Sequence, residues 1–432
     1  MLRKAIFYAI MFLAIAPTGA FAFSPFSNLQ EIISKNNFAD YYKIKLGKKV
    51  KIALFDVGFT GYKADLGKFL PPADLVHAPL GIPNDIDDPH GKFMAEIIYA
   101  LMTDEGRKPE LAPEFYFYTI GGLADFRKAI SDAIDKKVQI ISQSGEQQYG
   151  SNWDGKGFFN KEVDRATNEK IIFVNAAGNQ ARQTFNWPIV FDSRAFVNLP
   201  DDQNSLTFDC TAPTTGSDTC DLRIFLTWND FKDDPHLGTA KDLDLLLIDS
   251  LFQRQIAIAD RVQVSRTVSD TETLPQGQSS LPREFMQVKL PVGTYHLEVK
   301  STNPSAFDSS RDQLRVSIYG EHVTLNHFSI GESLVNPADN PSVVTVGAFD
   351  PERPELDATT GVSRSLHKPE LLANSYLQIG PNSEYGGNSV STAIVTAGFA
   401  LLKYINPNLD RQELLNATSS NPTLMNGVFS LP

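Results

Sequence analysis

Four side chains, far apart in this sequence, are of the types that carry out acyl transfer, and each stands beside a segment able to present it. Asp56 follows the apolar run KIALF and precedes Val57 and Gly58. That puts its carboxylate at the carboxyl end of a strand, where open α/β sheets place their sites. His90 stands between the polar run NDIDDP and Gly91, where an amphipathic stretch begins, so its imidazole is held at a helix start, outside the core. Asn179 ends the segment IIFVNAAGN. The small residues before it let a backbone approach, and its amide can point at a developing negative charge. Ser389 follows Gly386, Gly387 and Asn388 and opens a long apolar stretch, so a helix amino terminus favours an anionic intermediate beside its hydroxyl. Ser391 is a rival nucleophile. Taken singly, each residue has a plainer role: a loop-capping Asp, a loop His, a Gly-Asn turn, an N-cap Ser. Their order along the chain is hard to obtain by coincidence.

The elements that must position these groups alternate as they do in parallel-sheet folds. KIALF, EFYFYTI, VQIIS and IIFVNAA read as buried strands, separated by helical stretches. After His90, the residues Phe93, Met94, Ile97, Ile98 and Leu101 recur at spacings of three and four and form one apolar stripe. A second helix fits Leu123 to Lys136. From residue 188 to 328 the texture changes to short alternating strands punctuated by turns, LRIFLTW, DLDLLLID, EFMQVKL, GTYHLEV and LRVSIYG, the pattern of a β-sandwich. VVTVGA at Val343 to Ala348 then resumes a buried strand, and Ser389 to Ile405 reads as an apolar helix. The α/β unit is therefore interrupted: a first part over 49–187, an inserted sandwich over 188–328 and a second part over 329–432. Residues 23–48 hold one short helical pattern and are too few for a domain of their own.

Residues 1–22 read as a secretory signal, with Arg3 and Lys4 ahead of the apolar run Ala5 to Ala16 and a small-residue site at Ala20-Phe21-Ala22. That run is shorter than the roughly 20 residues a spanning helix needs, and no later segment is apolar enough to span. Cleavage would take the formal charge of the 432-residue chain from -12 to -14 by removing Arg3 and Lys4, which disfavours nucleic acid and anionic membranes as partners. A secreted, periplasmic or extracellular location follows. In that oxidising setting Cys210 and Cys220, the only cysteines, are expected to form a local disulfide. No histidine stands near either, so zinc is disfavoured there.

The stretches IALFDVG, PHGKFMAEII, LAPEFYFY, VQIISQS, IIFVNAAGN, NPADNPSVVTVGA, HKPELLA and GGNSVSTAIVTAGFALL together resemble the subtilisin-like serine peptidases from Lys51 to Thr418, apart from the insert. The order Asp, His, Ser is the family's own. The resemblance implies a doubly wound, mainly parallel sheet flanked by helices and interrupted by an inserted all-β, jelly-roll-like sandwich. It implies that Ser389 attacks the scissile carbonyl, His90 moves the proton, Asp56 orients His90, and Asn179 with the Ser389 N–H forms the oxyanion hole. It implies too that Gln143, Ser144 and Gly145 line the cleft and pair with an extended protein or peptide substrate, and that catalysis needs no cofactor. Glu146, beside the cleft, suggests a preference for basic substrate side chains.

Departures from the family accompany the match. Lys92 and Phe93 follow His90-Gly91, Glu96 stands where Gly is common, and Asn388, Ser391 and Ala393 replace the usual Thr, Ala and Pro. The stretch between Ala22 and the first strand is too short for the propeptide many members carry. These features keep open an alternative, a catalytically impaired pseudopeptidase or binding module that works through its sandwich. The sandwich resembles modules of other secreted peptidases through TWND, KDLDLLLID and PVGTYHLEV. Its Asp242, Asp244 and Asp249 are either structural calcium ligands or solvated strand-end acids. An α/β-hydrolase esterase would need a G-x-S-x-G elbow with Ser ahead of Asp and His, which the order opposes.

Overall fold

The structure is a computed structural model that describes residues 26–432 apart from 45–46, 81–87, 203, 212–217, 270–271, 351, 353, 355–358, 380–382 and 420–426. The expected signal segment, 1–22, lies outside the described residues. The first strands are β1 (Lys51–Asp56), β2 (Val76–Leu80), β3 (Glu114–Thr119), β4 (Ile140–Gln143) and β5 (Ile172–Ala176). They join β17 (Val344–Ala348), β18 (Leu371–Ala373) and β21 (Gly427–Val428) in one eight-stranded sheet, ordered β2-β3-β1-β4-β5-β17-β18-β21. Every pairing in it is parallel.

Covering both faces of such a sheet explains why its central strands are apolar without alternation. Because successive side chains point to opposite faces, Ile52, Leu54, Phe115 and Phe117 pack on one side against helices α4 (His90–Met102) and α7 (Asn388–Ile405). Ala53, Phe55, Tyr116 and Tyr118 pack on the other against α5 (Leu123–Asp135) and α6 (Phe158–Asn168). Helix α7 is buried on all sides from Asn388 to Tyr404, as a helix apolar around its whole circumference must be.

The amino-terminal stretch contributes more than one helical pattern. It forms α1 (Leu29–Lys35) and α2 (Phe38–Tyr41), and its Phe26, Leu29, Ile32, Ile33, Phe38 and Tyr42 enter the core of the first sheet face. The Tyr42 hydroxyl donates to the carbonyl of Leu101 at the end of α4 over 2.7 Å. A single-turn helix, α3 (Tyr62–Asp65), lies between β1 and β2, and α8 (Arg411–Thr418) follows α7.

Between β5 and β17 the chain builds two antiparallel sheets and a short parallel pair, β11 (Val262–Gln263) with β12 (Gln278–Ser279). One contains β6 (Thr184–Pro188), β8 (Thr219–Trp228), β13 (Arg283–Pro291) and β15 (Gln313–Tyr319) in the order β13-β8-β15-β6. The other contains β7 (Leu206–Cys210), β9 (Asp244–Asp249), β10 (Arg254–Ala259), β14 (Gly293–Lys300) and β16 (Val323–Leu325) in the order β10-β9-β14-β7-β16. Alternation sends Leu245 and Leu247, Leu297 and Val299, and Leu226 and Trp228 into a common core. Strand β6 pairs with β15 at Phe185↔Val316, so the strands of the sandwich start ahead of residue 188. Cys210 and Cys220 are disulfide-bonded. With β7 in one sheet and β8 in the other, the bridge ties the two sheets at one end.

The insert is anchored by Arg315 on β15, whose guanidinium donates to Asn186 Oδ1 (2.7 Å) and to the carbonyls of Leu334 (2.8 Å) and Glu332 (3.1 Å). It also lies 4.5 Å from the ring of Trp153. The three acids weighed as calcium ligands are not gathered in one place. Asp242 accepts from Gln263 N–H and Thr302 Oγ1, while Asp249 caps the turn after β9 by accepting from Leu251 and Phe252 N–H. At about 3.3 Å per residue, Asp249 is roughly 16 Å from Asp244 along the strand. Among the described residues no group of three or more His, Cys, Asp or Glu is gathered as for a metal ion.

Candidate active site

The site lies at the carboxyl ends of the central strands, where β1, β4 and β5 finish side by side. Asp56 ends β1 with 2% of its side chain exposed, and His90 opens α4 with 26% exposed. The two meet because Gly91 allows the helix to start against the strand. A Cβ at Gly91 would come within 2.7 Å of both Asp56 Cβ and the Gly58 carbonyl oxygen, whereas the glycine N–H donates to that carbonyl over 2.9 Å. His90 Nδ1 is then 2.8 Å from Asp56 Oδ1 and 3.0 Å from Oδ2. Since an ionised carboxylate only accepts, Nδ1 carries the proton and Nε2 is left as the basic nitrogen. Burial works against a charged His90, but the charge and hydrogen bond of Asp56, with the charge of Asp88, outweigh it and raise the pKa above its ordinary 6.5.

Ser389 sits in the first turn of α7, 7% exposed. Its hydroxyl donates to the carbonyl of Ser144 over 3.1 Å rather than to His90. Ser391, the rival, is fully buried and donates to the carbonyls of Ala373 (2.9 Å) and Asn374 (3.0 Å), so it secures the helix to β18. Preceding the helix, Gly387 has φ +109°, and a Cβ there would lie 2.9 Å from Asn179 Oδ1. Glycine is therefore required both for the turn and for the approach of Asn179. The Asn179 Oδ1 atom accepts from the Asn388 N–H (3.0 Å) and from Asn388 Nδ2 (2.7 Å).

Of the residues expected along the substrate edge, Ser144 and Gly145 are partly exposed just beyond β4. Gln143 is 2% exposed and paired inside the sheet with Phe55 and Asn175, so it supports that edge from beneath. Glu146 does not stand free for a basic substrate group. Burial raises its pKa to about 7, against the opposing effects of a hydrogen bond from Tyr319 and the charges of Arg223 and Arg315, all three from the sandwich. The departures at Lys92 and Glu96 stand together: Lys92 Nζ lies 3.2 Å from Asp65 and 3.6 Å from Glu96. Burial pushes the Glu96 carboxyl up to about 8, with the Lys92 charge opposing it. Of two nearby residues, one had no signal in local sequence and the other only a partial one. Tyr385, on the hairpin of β19 (Tyr376–Ile379) and β20 (Ser383–Gly386), flanks His90 with ring centroids 6.5 Å apart and packs on Phe93 at 4.7 Å. Asn388 was legible only as a substitution, because its partner Asn179 is 209 residues away.

Residues 47–217 match the sequence model of the subtilase family, which stops short of the segment bearing Ser389. No curated protein sequence matches the chain. Among solved structures, the CspB protease of Clostridium perfringens superposes with a TM-score of 0.54 at 15% identity, covering 94% of this chain and 97% of that one. The nisin leader peptidase NisP of Lactococcus lactis (TM-score 0.42, 13% identity, 95% and 93% covered) and MycP1 of Mycobacterium smegmatis (0.42, 14%, 96% and 85%) are more distant. The CspB superposition shows a shared fold. With the subtilase match over the segment carrying Asp56, His90 and Asn179 and the fold shared with CspB, the chain is similar to the subtilisin-like serine peptidases.

Proposed function

We propose that this peptidase is secreted and cleaves extended peptide segments with Ser389, His90 and Asp56, using Asn179 and the Ser389 N–H as oxyanion donors. The observation that carries the reading is the contact of His90 Nδ1 with both oxygens of a buried carboxylate. This contact fixes the tautomer that leaves Nε2 basic and lowers the energy of the imidazolium formed during attack. In the first step the Ser389 hydroxyl turns from the Ser144 carbonyl, gives its proton to His90 Nε2 and bonds to the substrate carbonyl carbon. The displaced π pair settles on the carbonyl oxygen, which Asn179 Nδ2 and the helix-start N–H stabilise. Collapse expels the amine, which takes the proton from His90. Water, deprotonated by the same nitrogen, then attacks the acyl carbon, and the ester bond breaks as Ser389 Oγ takes that proton back from His90. Ser144 and Gly145 offer their backbone as the strand with which a substrate pairs. Removal of residues 1–22 and export are consistent with the Cys210–Cys220 bridge.

The bond from Ser389 to the Ser144 carbonyl favours a second reading, in which the nucleophile is permanently diverted and the protein binds without cleaving. Digestion of an unbiased peptide library by the chain lacking residues 1–22, followed by mass analysis, decides between them. The peptidase reading predicts cleavage that disappears in both Ser389→Ala and His90→Ala. Intact peptides, or cleavage undiminished in Ser389→Ala, would overturn it.

A further inference from the structure

The environment of Asn388 fixes the orientation of a second amide, that of Asn179. Asn388 is wholly buried and its four contacts leave its own amide no freedom. Its Oδ1 accepts from the Ala348 N–H over 2.7 Å and from Thr360 Oγ1 over 3.2 Å. A backbone N–H can only donate, so the oxygen must face it. Its Nδ2 donates to the Gly178 carbonyl over 2.8 Å, which can only accept, so the nitrogen must face that side. The remaining Nδ2 hydrogen is directed at Asn179 Oδ1, 2.7 Å away, where the Asn388 N–H arrives as well over 3.0 Å. Two donors converge on one oxygen, so the Asn179 amide is turned with Oδ1 inward and Nδ2 outward.

We infer that Asn388 is a positioning residue that holds the Asn179 amide with its N–H bonds toward the developing oxyanion. This rests on the reading of Asn179 as an oxyanion donor. The chain of contacts runs from Ala348 on β17 through Asn388 to Asn179 beyond β5, so the sheet itself sets the direction of the donor. A flipped Asn179 would present an oxygen to the oxyanion and repel it. Preorganisation of this kind acts on the transition state and leaves ground-state binding nearly untouched.

Substitutions at Asn388 separate this role from simple packing. Asn388→Asp is isosteric but presents only acceptors, so it favours the flipped Asn179. Asn388→Ala removes the side-chain donor and leaves the backbone N–H in place. The test is steady-state hydrolysis of a chromogenic peptide by these variants, alone and combined with Asn179→Ala, with thermal melts confirming that each is folded. Asn179→Ala alone is expected to lower kcat by about 100- to 1,000-fold, the size known for the corresponding side chain of subtilisin. Asn388→Ala is expected to lower kcat by about tenfold, the worth of one orienting hydrogen bond. Asn388→Asp lowers it further, toward the level of Asn179→Ala, and KM stays within about threefold. In the Asn179→Ala background neither change has further effect. Equal losses in both backgrounds would make Asn388 merely structural and overturn the inference, as would an unchanged kcat in Asn388→Asp. An unchanged kcat in Asn179→Ala would instead remove the oxyanion reading on which the inference stands. Asn388→Thr, whose hydroxyl can still donate to Asn179 Oδ1, is expected to recover part of the loss and covers the case in which the other variants fail to fold.

Discussion

Replacing Asp56 by Asn keeps the shape of a side chain that is 2% exposed and removes its charge. It tests the feature on which the proposed proton transfer depends. The carboxylate lies 2.8 and 3.0 Å from His90 Nδ1, so the charge centres of the ion pair formed in the transition state are about 4 Å apart and attract by about 4 kcal/mol at an effective dielectric of about 20. The Asn amide also offers a donor to Nδ1, favouring the tautomer with the proton on Nε2. Undoing that preference costs roughly 1.5 kcal/mol, the lower range for a charge-assisted hydrogen bond. Together these amount to about 5 to 6 kcal/mol, or roughly 10,000-fold in kcat/KM, the loss known for serine peptidases lacking the aspartate. The pH profile moves too. His90 must be neutral to act as base, and its pKa lies above 6.5, so activity falls as the pH drops through that raised value. Without the Asp56 charge, burial dominates and the acid limb shifts to lower pH. By linkage, the raised pKa also gives stability that is complete below about 6.5 and lost as pH rises through the folded value. Hydrolysis of a peptide ester, followed between pH 5 and 9 beside thermal melts, measures all of this. A loss under tenfold, or an acid limb that stays in place, would refute the account of Asp56.

Gly91→Ala forces a methyl group to within 2.7 Å of Asp56 Cβ and the Gly58 carbonyl oxygen, and a shift of about 1 Å between His90 and Asp56 is expected to lower kcat/KM by at least about 100-fold. An active variant with an unchanged acid limb would contradict the close fit described. Changing Cys210 and Cys220 together to Ser opens a bridge spanning ten positions and is expected to cost about 3 kcal/mol in the stability of the sandwich, read as a lower denaturation midpoint. Glu96→Gln replaces a carboxyl whose pKa is raised to about 8. The folded state therefore favours its proton, and the native glutamate becomes a growing cost as pH rises from about 4.5 to 8. The variant should gain in melting temperature over the native chain as pH is raised from 5 to 8, and a constant difference would argue against the buried carboxyl.

What could be read from the chain in advance divides along physical lines. Strands β1, β3, β4 and β5 were legible because burial on both faces leaves continuous apolar runs, and the sandwich because one buried face imposes alternation. Strand β2, VHAPL, carries Pro79 and lies at the sheet edge, where neither pattern operates. The amino-terminal helices were only half legible, since Phe26, Leu29, Ile32 and Phe38 declare a core only once the core is there to receive them. In the site, Asp56, His90, Asn179 and Ser389 were each readable from the end of the element that carries them. What joins them was not. The Asn388–Asn179 contact spans 209 residues, and Glu146 meets Tyr319, Arg223 and Arg315 only through the docking of the insert. Ser391 competed with Ser389 in sequence and is set apart by its complete burial and its bonds to the carbonyls of Ala373 and Asn374.

The most direct measurement is covalent labelling of the chain lacking residues 1–22 with a fluorophosphonate, followed by peptide mapping. The proposed triad predicts one adduct, on Ser389, that is absent in Ser389→Ala and retained in Ser391→Ala. An adduct that survives loss of Ser389, or a native protein that takes no label while folded, would contradict the assignment of Asp56, His90 and Ser389 as a working triad.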